Sequence, residues 1–177
     1  MTAHAQVVLI AGSPALASRS AALLRNLGVR LSAHGISSRV FTLSDFSGDD
    51  VFHARVGSPS IVELLTAVQN AKAVVLGTPV YKAVYSGALK ALVDLIAPDG
   101  LEHKTVVGIA TGRLPAHGMS VTRAFDELFA FFKGALALPS LFLLDPQLTV
   151  RGDSIELASE AEAPFGELER SLIARLR

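Results

Sequence analysis

Residues 6–20 read QVVLIAGSPALASRS, and the change of character inside this stretch decides the fold class. Gln6 to Ala11 is a continuous, β-rich apolar run, which suits a parallel strand buried on both faces. Gly12-Ser13-Pro14 breaks the run. Ser18 then opens a helical pattern that lasts to Ser32, with Leu23, Leu24, Leu27 and Leu31 at roughly helical spacing, and Gly35 supplies a stop. A buried strand that passes through a short loop straight into a helix is the first half of a β-α-β unit.

The same alternation continues outward from this unit. Ser38 to Leu43 (SRVFTL) reads as a second strand, and the polar stretch from Ser44 to Pro59 as a loop with a short turn of helix. Ser58-Pro59 starts a helix carrying Ile61, Leu64, Leu65 and Val68. Ala73 to Gly77 is a third strand, Ser86 to Leu95 a helix, Thr105 to Ala110 a fourth strand. A long helix is predicted from Met119 to about Leu136, a fifth strand over Leu141 to Leu144, and an amphipathic final helix with Phe165, Leu168, Leu172 and Leu176. Between the last two, Leu148 to Leu157 alternates weakly. Five short buried strands alternating with helices predict an α/β fold with a doubly wound parallel sheet and right-handed crossovers. Without an internal repeat or linker, one domain over residues 1–177 is expected.

Composition narrows the function classes. Hydrophobic residues make up 50% of the 177 residues and charged residues 18%, enough apolar material for a sizeable core. Sixteen basic and sixteen acidic residues balance, against a nucleic-acid or polybasic membrane surface. Cys is absent, so thiolate chemistry and cysteine metal sites are excluded, and His4, His34, His53 and His103 show no metal-ligand spacing. No stretch is long enough to span a bilayer and the N-terminus lacks a basic n-region, so a cytoplasmic protein is the default expectation.

In open parallel sheets ligands bind beyond the carboxyl ends of the strands, where strand order reverses. The loops there read GSPALASRS, TPVYKAVYSG and TGRLPAHG. In the first, Ser13, Ser18 and Ser20 offer hydroxyls and Arg19 a cation at a helix N-terminus, a cradle for phosphate. The loop lacks GxxxxGK[ST] and GxGxxG, and the alternative reading is a Ser-capped helix without a ligand. In the second, Thr78-Pro79-Val80-Tyr81-Lys82 sets a rigid Pro and an aromatic after a buried strand, suited to a planar ring. A plain Pro-directed turn with Tyr81 as packing leaves Lys82, Tyr85 and Ser86 without an account. In the third, Gly112 permits close backbone approach, while Arg113 and His117 are as readily surface or helix-cap residues.

Taken together, AGSPALASRS, GTPVYKAVYSGALKALVDLI and ATGRLPAH resemble the NADPH-dependent FMN reductase family, above all the reductases that serve alkanesulfonate-type two-component monooxygenases. The resemblance runs from Val8 to about Leu144, and HARVGSP at 53–59 fits it. It implies a flavodoxin-like fold with a five-stranded sheet in the order 2-1-3-4-5, and hydride transfer from NADPH, or NADH, to FMN. It implies that Ser13, Ser18, Arg19 and Ser20 hold the FMN phosphate, that Pro79, Val80, Tyr81 and Lys82 line the isoalloxazine, and that Ser86 and Gly87 begin the helix below it. Thr111 and Gly112 would approach from the other side, and Arg113 stands where the family usually has a second glycine, where its side chain would either narrow the pocket or reach the pyridine nucleotide's phosphate. Arg123 stands near a slot where members of that group can carry an extra aromatic residue. No residue is expected to act as a strong acid or base.

Partners implied are flavin, pyridine nucleotide, a flavin-dependent monooxygenase and a second copy of the chain. A homodimer, or a tetramer of two dimers, fits Ala83 to Leu95, where Val84, Tyr85, Leu89, Leu92, Val93 and Ile96 exceed what one side of a sheet needs. Alternatives are a reductase of quinones or azo dyes that keeps its FMN, and a flavodoxin-type electron carrier; the latter usually has a T/S-x-T-G-x-T first loop, absent here.

Overall fold

The structure, a computed structural model, describes residues 5–15, 17–152 and 154–177. His4 and Leu16, both within stretches discussed above, lie outside the described residues.

The elements run β1 (Val7–Ala11), α1 (Arg19–Ala33), β2 (Ser38–Thr42), α2 (Gly48–Phe52), α3 (Pro59–Asn70), β3 (Ala73–Tyr81), β4 (Val84–Tyr85), α4 (Gly87–Val93), β5 (Thr105–Gly112), α5 (His117–Phe131), β6 (Leu136–Ala137), β7 (Leu141–Leu144), β8 (Leu148–Arg151), β9 (Ser154–Leu157) and α6 (Ser159–Leu176). The sheet order is β2-β1-β3-β5, with β6 and β7 both parallel to the outer edge of β5. Val7 faces Ser38 on one side and Ala73 on the other, and Ala73 faces Thr105. With β6 and β7 taken as one interrupted strand, this is the flavodoxin-like order 2-1-3-4-5.

The interruption has a local cause. Pro139 has no N–H for the ladder, so regular pairing stops there. Leu138 N donates to Val106 O at 2.8 Å, and across the gap Gly108 N donates to Ser140 Oγ at 3.2 Å instead of to a strand carbonyl.

Alternate residues of the central strands face two separate cores. Val7, Leu9, Val75, Val107 and Ile109 pack beneath α1 and α6, together with the β8–β9 hairpin. Val8, Ile10, Val74, Leu76 and Val106 pack beneath α3, α4 and α5. Burial on both faces explains why these strands read as unbroken apolar runs. Close approach of helix to sheet demands glycine at position 108, where a Cβ would lie 2.3 Å from the Phe125 ring.

Three expectations change. The Met119 helix ends at Phe131, because Gly134 takes a left-handed φ of +68° and turns the chain into β6. The third strand does not stop at Gly77 but runs to Tyr81 and folds back on β4. Leu89, Leu92, Val93 and Ile96, expected to exceed one side's needs, are all buried within the chain itself. Among the described residues no helix is long and apolar enough to cross a membrane.

Candidate functional site

The carboxyl ends of β1, β3, β5 and β7 surround one cavity of about 570 Å³, within the size range of small-molecule sites. Ser13, Ser18, Arg19 and Ser20 line it from the first loop, Pro79, Val80 and Tyr81 from β3, and Thr111, Gly112 and Arg113 from the end of β5. Lys82 and Ser86 are not among its lining residues.

The first loop is tied down by its own hydroxyls. Ser18 caps α1: its Oγ accepts from Ala21 N at 3.1 Å and lies 3.0 Å from Ser20 Oγ, with both serines buried. Ser13 Oγ accepts from Ala15 N at 3.3 Å. The first-turn amides of Arg19 and Ser20 have no carbonyl four residues back within the helix, so they and the helix dipole favour an anion in front of them. The Ser cap and the anion cradle are one arrangement, and the two sequence readings of this loop do not compete.

The second loop is a hairpin with two connecting residues, Lys82 at φ 51° and Ala83 at φ 73°. Positive φ at both positions matches the type I′ geometry that suits strand twist, here without the usual Asn or Gly. Lys82 therefore sits at the hairpin tip. Ser86 is engaged in holding the scaffold: its Oγ donates to Gly12 O and accepts from Leu89 N at 3.0 Å as the cap of α4, while its N–H donates to Thr78 Oγ1 at 2.9 Å. Tyr85 packs on Phe125 with ring centroids 5.5 Å apart. Ser86 and Tyr85 thus fasten β3 and α4 below the cavity, which accounts for their position beside the Pro79-Tyr81 segment.

At the end of β5, a Cβ on Gly112 would lie 3.1 Å from Phe142 and 3.3 Å from Val80, so tight packing behind the cavity wall also calls for glycine there. Arg113 carries its side chain 88% exposed. His117, the first residue of α5, lines the cavity together with Leu114. Ala15 and Ala17 complete the wall of the first loop.

Asp145 is the residue that sequence reading missed. It follows β7 and opens a 3-10 turn over Asp145–Gln147, and its carboxylate faces the cavity. Its Oδ2 lies 3.8 Å from Arg19 Nη1 and 3.8 Å from Arg113 Nε. Two cations against one carboxylate leave the cavity biased toward anions. The pKa of the Glu162 carboxyl is lowered by its hydrogen bonds from Arg30, and that of the Arg30 guanidinium is raised in return. Among the described residues, no group of three or more His, Asp or Glu side chains could hold a metal ion.

Comparison with known proteins identifies relatives over most of the chain. The family model for NADPH-dependent FMN reductase matches residues 5–148. The chain is 39% identical over 142 residues to an FMN reductase (NADPH) of Pseudomonas putida, covering 80% of this chain and 72% of that one. It is 32% identical over 176 residues to the NADH-dependent FMN reductase SfnF of Pseudomonas fluorescens, covering 93% and 94%. Among solved structures, the apo form of an NADH:FMN oxidoreductase, EMOB, superposes with a TM-score of 0.85 at 22% identity over 96% of this chain and 88% of that one.

Proposed function

The chain belongs to the NADPH-dependent FMN reductase family and is an NAD(P)H-dependent FMN reductase, and from that premise we propose how it holds its substrates and where the product goes. The FMN phosphate takes the α1 N-terminus, with Ser13, Ser18, Arg19 and Ser20 around it. The ring lies along Pro79, Val80 and Tyr81, with Thr111 and Gly112 on the far side. Lys82, at the hairpin tip, and Ser86, beneath the wall, contribute by position. What supports this arrangement is one observation: three loops far apart in sequence line a single cavity whose charged residues include two arginines. When bound, the flavin supplies the hydride-accepting chemistry itself; the protein's part is orientation and electrostatics. Thr78 and Ser86 keep the β3 wall in register with the first loop. Arg113 borders the mouth, where it faces a nucleotide phosphate. Reduced flavin then leaves for a partner monooxygenase. Anaerobic mixing of the protein with FMN and NADPH, then NADH, should bleach the flavin absorbance. Absence of bleaching with both nucleotides overturns the assignment.

We also propose a homo-oligomer built through α5 and the β4 hairpin. A groove of about 450 Å³ runs between α4 and α5, lined in part by Val84, Tyr85, Leu128 and Phe131. Phe131, at the end of α5, is 67% exposed, an unusual state for a large aromatic. Light scattering at micromolar concentration should give a dimer or tetramer, and Phe131→Glu should shift it toward monomer.

A further inference from the structure

The two guanidiniums of the cavity share one carboxylate oxygen, and the three groups differ in freedom. Arg19 and Arg113 are long side chains, 45% and 88% exposed, able to swing. Asp145 is short and 19% exposed. Its backbone is set by Pro146 in the 3-10 turn, by Leu148 N donating to Asp145 O, and by Leu144 N donating to Gln147 Oε1 at 2.9 Å. The carboxylate sits on a short stem from a held backbone, and the cations sit on long stems. At 3.8 Å, neither arginine makes a true hydrogen bond to it. An entering phosphate can therefore take Arg19 over, while the short Asp145 side chain has little reach with which to withdraw.

We propose that Asp145 limits the affinity for flavin phosphate: it is a built-in competitor for Arg19 that keeps FMN a ligand able to leave. The inference rests on the phosphate assignment made above. An anion hydrogen-bonded to Arg19 Nη1, with that nitrogen where it stands at 3.8 Å from Asp145 Oδ2, lies within roughly 7 Å of the carboxylate, given a charge-assisted bond of about 2.8 Å. Repulsion between a carboxylate and a near-dianion at that range corresponds to about tenfold in affinity even where water screens strongly. The opposing effect, that Asp145 pre-orders Arg19 for the phosphate, is worth only a few-fold for one half-exposed side chain. Competition outweighs positioning. The direct consequence is a faster release of FMN, oxidised or reduced, than the same cradle would allow with a neutral residue at 145.

The test titrates FMN and riboflavin into the intact protein and into Asp145→Asn, Asp145→Ala and Arg19→Ala, at low and high salt. Both Asp145 variants should lower the FMN dissociation constant about tenfold at low salt and less at high salt, with slower FMN dissociation in stopped flow. Riboflavin, which lacks the phosphate, should change less than about twofold in all forms. If both Asp145 variants bind FMN equally or more weakly while Arg19→Ala weakens it, the phosphate site stands and the competitor role is overturned. If riboflavin tightens as much as FMN, the effect is repacking and the proposal also falls. If Arg19→Ala leaves FMN binding unchanged, the phosphate assignment fails and takes the inference with it.

Discussion

Each end of the parallel sheet carries a cavity with cationic side chains on its wall, and the fold treats the cations of the two ends differently. Beside the amino end of β5, a cavity of about 460 Å³ lies between α3 and the segment before β5. There the Lys104 ammonium donates to Gln69 O and Ala71 O, each at 2.8 Å, and closes the carboxyl end of α3. Its pKa is lowered by burial. At the carboxyl ends, in about 570 Å³, Arg19 and Arg113 find a single carboxylate, at ion-pair distance only. Volume does not tell the two cavities apart. What separates them is donor capacity: Lys104 has spent most of its three donors on the chain's own carbonyls, whereas the arginines keep most of theirs for something else. A structural cation and a binding cation differ in how fully the fold satisfies them.

The sharpest break of this contrast is a pair of substitutions. Arg19→Ala should cost about 1.5–3 kcal/mol of FMN binding, the usual worth of a hydrogen bond to a charged group, so the dissociation constant should rise roughly tenfold or more. Thermal stability should hardly move, since the side chain is half exposed and its ion pair is long. Calorimetric titration reads the first and a melting curve the second. Lys104→Met should behave in reverse. Two carbonyls at the end of α3 lose their donor, which should lower stability by about 1–2 kcal/mol, while FMN affinity stays put. Should Lys104→Met weaken FMN as much as Arg19→Ala does, the two ends are coupled and the division between them is wrong.

Much of the fold could be read from the chain because its strands are buried on both faces. Runs such as VVLIA and AVVLG admit few other states, and Ser18 and Ser58-Pro59 mark helix starts that the structure keeps. The failures share one cause, tertiary geometry that leaves no local mark. Lys82 and Ala83 form a positive-φ hairpin turn without Gly or Asn, so nothing in TPVYKAVYS announces a reversal. The apolar residues of α4 exceed what one side of a sheet needs because α4 packs on α2 as well as on β3, and that second cover leaves no mark in the periodicity. Ser86, at the start of a helix beside the phosphate loop, has the right chemistry for a ligand contact, yet it is consumed by Gly12 O and Leu89 N. Asp145 went unseen for the opposite reason. It sits in LLDPQ, a turn with no motif character, 126 residues beyond Arg19, and only the folding of β7 beside β5 brings it to the cavity. The three loops that signalled the site are those with Gly, Pro and hydroxyls; the residue that tunes their charge gave no signal.

The smallest expected effect tests how far that charge balance reaches. Arg113 is the more exposed of the two arginines, at 88% against 45%, so water screens it more. Its Nε faces Asp145, which leaves the far edge of the guanidinium, with its remaining donors, turned to whatever enters the mouth. A guanidinium there can engage a phosphate on two nitrogens. NADPH carries one phosphate more than NADH, so Arg113→Gly, which restores the usual family pattern, should raise the Michaelis constant for NADPH about threefold and that for NADH less, the scale of a screened charge contact. Turnover should change little, because the side chain lies at the mouth and not against the β3 wall. The same substitution takes from Asp145 one of its two cations, so the carboxylate should oppose anions more strongly, and FMN affinity should fall slightly as well. Steady-state kinetics with both nucleotides and an FMN titration separate these outcomes. If both Michaelis constants and the FMN dissociation constant hold still, Arg113 is solvated surface, and the carboxyl end has one binding cation and not two.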